Sequence, residues 1–106
     1  MTFIRLLPLD ELGSEPVALE AAGHELLVLR ADDGVVVVRN QCTHMDRPLT
    51  RGTWNPGTQE LTCPFHKAVF CLGRGGHPRV GPTKTPLALL PVRIAAGFLE
   101  VDVSDL

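Results

Sequence analysis

The chain has 106 residues and a formal net charge of −2, with 44% hydrophobic and 21% charged residues. That length suits one soluble domain and leaves no room for a second. No run approaches the roughly 18–20 continuous apolar residues of a membrane span, and the N-terminus reaches Asp10-Glu11 without the layout of a secretory signal, so a cytoplasmic protein with no membrane or nucleic-acid partner is expected.

Ten glycines and nine prolines predict many turns and short strands. Thr2 to Leu6 and Val17 to Glu20 read as strands, separated by turn signals at Pro8, Gly13 and Pro16. His24 to Arg30 and Val35 to Arg39 flank Ala31-Asp32-Asp33-Gly34, whose Asp-Gly step predicts a hairpin. Residues 40 to 86 then break the pattern. They are dense in Cys, His, Gly, Pro and Thr, with brief strand-like pieces at Glu60 to Cys63 and Lys67 to Leu72. Leu90 to Ala95 and Phe98 to Val103 flank Ala96-Gly97 as a second hairpin. Its later strand alternates Phe98, Glu100 and Asp102 on a wet face against Leu99, Val101 and Val103 on a buried one. No segment carries a helical stripe. An antiparallel β framework with one elaborated region follows, and function concentrates in such regions.

That region holds Cys42-Thr43-His44, then eighteen residues, then Cys63-Pro64-Phe65-His66. Three cysteines, an odd number, argue against a disulfide framework and for metal or redox chemistry. Each short cluster offers one thiolate and one imidazole, so Cys42, His44, Cys63 and His66 make a set of four ligands. A tetrahedral zinc site uses the same ligand types, but it usually pairs like residues within a cluster. Mixed clusters suit two metal ions of different ligation, one iron taking both thiolates and the other both imidazoles.

On these motifs, residues 39 to 103 resemble the Rieske [2Fe–2S] ferredoxin family. The later Gly81-Pro82 is similar to the family's covering proline loop, and Leu49 and Gly52 stand where it usually has Leu and Gly. The resemblance implies an all-β fold: a Rieske-type antiparallel β-sandwich base with an inserted two-loop cluster-binding subdomain at about residues 40–86 of a single domain, 1–106. It implies one [2Fe–2S] cluster on Cys42, His44, Cys63 and His66, and single-electron transfer without catalysis. The donor would be a flavin-containing reductase, and the acceptor a terminal oxygenase or similar redox enzyme. Respiratory-chain relatives add a cysteine to each loop and aim Ser and Tyr hydroxyls at the cluster. Here Met45-Asp46-Arg47 and Lys67-Ala68 hold no cysteine and the chain has no Tyr, so a potential toward the low end of the Rieske range is expected. Two other readings stay open: a small subunit of a nitrite-reductase-like enzyme, and a zinc-stabilised interaction module.

Charge is unevenly spread. Residues 39 to 93 hold eight Lys and Arg against Asp46 and Glu60, a net +6, and the remainder is −8. A basic cluster end facing acidic surfaces on partners is the expectation. Lys67 departs from the Gly the family more often has after the second His. Cys71 reads as a buried, inert thiol on a strand, His77 as a loop residue near the motif but outside the ligand set, and His24 as a surface residue. Trp54 reads as packing beside a turn, and Pro64 and Phe65 as a shield against water.

Overall fold

The computed structural model describes residues 2–32, 34–41, 49–64, 68–80 and 85–104. Eleven strands follow one another along them: β1 (Phe3–Pro8), β2 (Val17–Ala21), β3 (His24–Ala31), β4 (Gly34–Arg39), β5 (Thr53–Asn55), β6 (Glu60–Thr62), β7 (Val69–Cys71), β8 (His77–Val80), β9 (Leu89–Leu90), β10 (Val92–Ala95) and β11 (Phe98–Asp102). Among the described residues the only helical pieces are two single 3-10 turns, Leu9–Glu11 and Leu72–Arg74. The strands form three antiparallel sheets, ordered β1-β11-β10, β2-β3-β4-β9 and β5-β6-β7-β8. The third sheet is contributed wholly by residues between β4 and β9 in sequence.

The β2-β3-β4-β9 sheet is the middle layer, and its sequence explains why. In β3 the run Leu26-Leu27-Val28-Leu29 is fully buried without alternation, the mark of a strand covered on both faces. Leu26 and Val28 join Val37, Leu99 and Val101 in one apolar cluster beneath the β1-β11-β10 sheet. Leu27 and Leu29 join Val38, Leu61 and Phe70 in a second cluster beneath the β5–β8 sheet. Each such fully buried side chain stabilises the fold by roughly 1.5–3 kcal/mol. Trp54 is half-buried against the second cluster, and its indole N–H donates to the Arg30 carbonyl at 2.9 Å, tying β5 to β3 at the turn where packing was expected.

Both expected hairpins form. Ala31 pairs with Gly34, and Ala95 with Phe98. A third hairpin joins β2 to β3 through Ala22-Gly23. Its turn residues have φ of 52° and 78°, close to the 52° and 80° of Ala96-Gly97, and two successive positive φ values match the right-handed twist of the flanking strands. The expected alternation holds at Leu99 and Val101, both fully buried, and fails at Asp102, while Val103, expected on the buried face, is half-buried. Asp102 is 6% exposed, because its Oδ1 accepts the backbone N–H groups of Thr2 and Ser104, both at 3.0 Å, and the Ser104 hydroxyl at 2.7 Å. Those three bonds hold its carboxyl down at about 2, from an ordinary 3.8.

Candidate metal centre

The β5–β8 sheet has two ends of different construction. At one end, pairing runs Thr53–Thr62–Val69–Val80 across all four strands. The chain enters β5 there through Gly52, leaves β6 into Cys63, enters β7 from Ala68 and leaves β8 after Val80. In sequence, 65–67 joins β6 to β7 at this end, 42–48 leads to β5 through residues 49–52, and 81–84 follows β8; Cys42, His44, Phe65, His66, Lys67, Gly81 and Pro82 lie in these stretches, outside the described residues.

The residues flanking those stretches are held closely. Cys63 is fully buried, and its N–H donates to the Ala68 carbonyl at 2.8 Å, closing the second stretch at its base. Its neighbours in the apolar cluster include Leu49, Leu61, Ala68 and Phe70. Gly52 donates its N–H to Leu49 O at 2.9 Å, and a Cβ there would stand 2.3 Å from Thr62 O. Only glycine lets the exit of the first stretch lie against the backbone leading into Cys63. Gly76, just before β8 at the other end of the sheet, makes a similar close approach. Leu87 N–H donates to its carbonyl at 2.9 Å, and a Cβ would stand 2.5 Å from Leu87 O.

The first stretch is closed by Asn40, which sequence reasoning did not single out. Asn40 is 5% exposed. Its Oδ1 accepts Leu49 N–H at 2.7 Å, and its Nδ2 donates to Glu25 Oε1 at 2.8 Å and Thr50 Oγ1 at 2.6 Å. The only sequence signal was its position two residues before Cys42.

At the opposite end, pairing runs Asn55–Glu60–Cys71–His77. Cys71 is half-buried rather than buried, a correction to the sequence expectation: its neighbour Phe70 takes the inward position on this short strand, which turns Cys71 outward. His77 begins β8 and is exposed. With Arg74 and Arg79 these residues line a surface hollow, across which Arg79 pairs with Glu60. Among the described residues no three His, Cys, Asp or Glu side chains gather to hold a metal ion, this row included. His24, half-buried, opens β3.

The structure also redistributes the charge expected at the cluster end. Arg93 lies on β10 in another sheet, pairs with Glu100 at 2.6 Å and covers the Phe3 ring at 4.1 Å. Arg74 ends the 3-10 turn that follows Cys71 at the far end, and Arg79 is paired. Arg39 and the exposed Arg51 do flank the first stretch, while Arg47, Lys67 and Lys84 lie outside the described residues. The net +6 is a property of the segment, since folding sends part of it elsewhere.

A [2Fe–2S] group fits what is present. The described thiol at the expected position is in a dry, apolar setting, and hydrophobic cover of this kind is what tunes such a group. Among the described helices none is long and apolar enough to cross a membrane. The chain matches the model of the Rieske [2Fe–2S] domain over residues 3–91. It is 32% identical to the anthranilate 1,2-dioxygenase ferredoxin subunit of Burkholderia cepacia, over 84% of this chain and 80% of that one. The ferredoxin of carbazole 1,9a-dioxygenase from Nocardioides aromaticivorans superposes with a TM-score of 0.86 at 29% identity, covering 95% of this chain and 97% of the other. A Sphingomonas yanoikuyae ferredoxin does so at 0.83 and 31%, covering 95% and 98%. The chain therefore belongs to the Rieske [2Fe–2S] family, as an electron carrier of the ferredoxin type with a Rieske cluster as its cofactor and no catalytic step of its own.

Proposed function

We propose that this protein is a cytoplasmic ferredoxin of a multicomponent oxygenase, taking electrons one at a time from a flavin-containing reductase and delivering them to a terminal oxygenase. The observation that carries this reading is the likeness, along most of both chains, to ferredoxin subunits of two different aromatic-ring dioxygenases. Residues 1–106 form one domain in this reading, with about 40–86 as the cluster-binding insertion.

Cys42 and Cys63 would hold one iron through their thiolates, and His44 and His66 the other through their imidazoles. When bound, the group supplies reversible one-electron chemistry. The chain's own part is to exclude water and fix the ligands. The burial of Cys63 among Leu49, Leu61 and Phe70 supports the first task, and the bonds at the bases of the first two stretches support the second. With two thiolates in place of four, the oxidised site is formally neutral, which raises the potential above that of an all-cysteine site. Without Tyr or loop cysteines beside it, a potential near the lower end of the Rieske range, about −150 mV, is expected.

Electron paramagnetic resonance of the dithionite-reduced protein tests the ligand set. A rhombic signal with the low average g of mixed His/Cys ligation is expected; no signal, with one zinc per chain, overturns it. Docking is tested by salt. Arg39 and Arg51 beside the first stretch support an acidic surface on the partner, so transfer to the oxygenase is expected to slow as ionic strength rises. A rate indifferent to salt removes that part of the reading.

A further inference from the structure

We propose that Asn40 is the positioning residue of the first cluster loop: its buried amide clamps the two ends of the stretch carrying Cys42 and His44, and so sets how those side chains are presented. This inference rests on the ligand reading above. Three features carry it. Both donor hydrogens and the oxygen of the amide are in use, toward Glu25, Thr50 and Leu49. The backbone N–H of Asn40 also donates to the Glu25 carbonyl at 3.0 Å, so the clamp is anchored to β3 and not merely to the loop. Leu49, whose N–H the amide receives, is fully buried, which leaves no water to replace the bond.

The residue type is dictated by these partners. The Leu49 N–H requires an acceptor, whereas the Glu25 carboxylate and the Thr50 hydroxyl oxygen receive donors. A primary amide supplies both in one short side chain. Aspartate would keep the acceptor but set a second carboxylate against Glu25, and an apolar residue would leave the Leu49 N–H unpaired. Holding residues 40 and 49 together also removes much of the conformational freedom of the stretch between them. Groups that orient a metal's ligands without touching it typically change metal affinity by about 10–100-fold when lost.

The test uses cluster-loaded protein and three readouts: the rate of bleaching by a ferrous chelator, the g-values of the reduced protein, and amide exchange of β3 and β4. Asn40→Ala is expected to bleach about 10–100-fold faster with shifted g-values, while exchange in β3 and β4 stays as in the wild type. Asn40→Asp is expected to bleach faster as well. Adding Glu25→Gln to it restores donor against acceptor at the original charge, and should return bleaching to within about threefold of the wild type. Wild-type bleaching and g-values in Asn40→Ala overturn the proposal, as does an Asn40→Asp/Glu25→Gln protein no better than Asn40→Asp. Should Asn40→Ala not fold, Thr50→Val decides: it removes one acceptor that fixes the amide, and faster bleaching with shifted g-values supports the proposal, whereas wild-type behaviour overturns it. A wild-type spectrum without mixed ligation removes the ligand reading itself. A mixed-ligand spectrum unchanged in the variants removes only the role of Asn40.

Discussion

The two ends of the β5–β8 sheet each carry cysteine and histidine, yet they are built for different things. At the Thr53–Thr62–Val69–Val80 end, the Cys63–Ala68 and Gly52–Leu49 backbone bonds and the close approach at Gly52 hold the chain beside a buried thiol. At the Asn55–Glu60–Cys71–His77 end, the thiol is half-buried, the imidazole is exposed and the nearest carboxylate is paired with Arg79. What sets the proposed ligand Cys63 apart from Cys71 is closure of the backbone beside it and removal of water. Residue type alone does not distinguish the two rows.

The largest expected effect breaks the comparison directly. Cys63→Ser should abolish the cluster, read as iron and sulfide per chain, while Cys71→Ser should keep wild-type iron content and an unchanged resonance spectrum. Cluster loss in both would show that the far end matters as much as the near one. Next come the neighbours on β7. Phe70→Ala should cost about 3–5 kcal/mol in urea unfolding, as loss of a buried aromatic does, whereas Cys71→Ala should stay within about 1 kcal/mol because its side chain faces outward. A smaller effect is expected from Gly52→Ala. The added methyl meets the Thr62 carbonyl with backbone on both sides, so the exit of the first stretch must shift, at about 1–3 kcal/mol. Gly13→Ala, where nothing lies within 4 Å, is the matched control and should leave the midpoint unchanged.

Much of this was legible in the sequence, for identifiable reasons. The unbroken Leu26-Leu27-Val28-Leu29 run marks the middle layer, and the Cys-x-His and Cys-x-x-His steps are what the proposed ligand set rests on. Ala22-Gly23 has the same Ala-Gly step as Ala96-Gly97 and makes the same turn, though of the two only Ala96-Gly97 was expected as a hairpin. Strands β5 and β8 are three and four residues long, and β8 holds Pro78 beside a register shift, so neither has a period to detect. Asn40 was invisible for a different reason. Its role is made by Glu25, Leu49 and Thr50, which lie 15, nine and 10 residues away, and a lone Asn after a strand otherwise reads as turn chemistry. Asp102 misled the alternation because a carboxylate can be buried once it has enough donors.

Asp102 also gives the smallest effect, and it sharpens the comparison by lying away from both ends, in the β1-β11-β10 sheet. Its carboxyl titrates near 2 in the folded protein against an ordinary 3.8, held down first by the Ser104 hydroxyl and then by the N–H groups of Ser104 and Thr2. Because the folded value is the lower one, folding favours the charged form. The stabilisation is complete above pH 3.8 and is lost as pH falls toward 2. In Asp102→Asn the charge is absent throughout, so this variant should be less stable than the wild type at neutral pH and should converge on it through that window. Acid also releases metal from His and Cys ligands, but it does so in both proteins, so the difference between their urea midpoints isolates the carboxylate. A difference that stays constant from pH 6 to pH 2 would mean that Asp102 holds the chain by its shape alone. A difference that closes below pH 4 would separate the acid sensitivity of the strand framework from that of the metal centre.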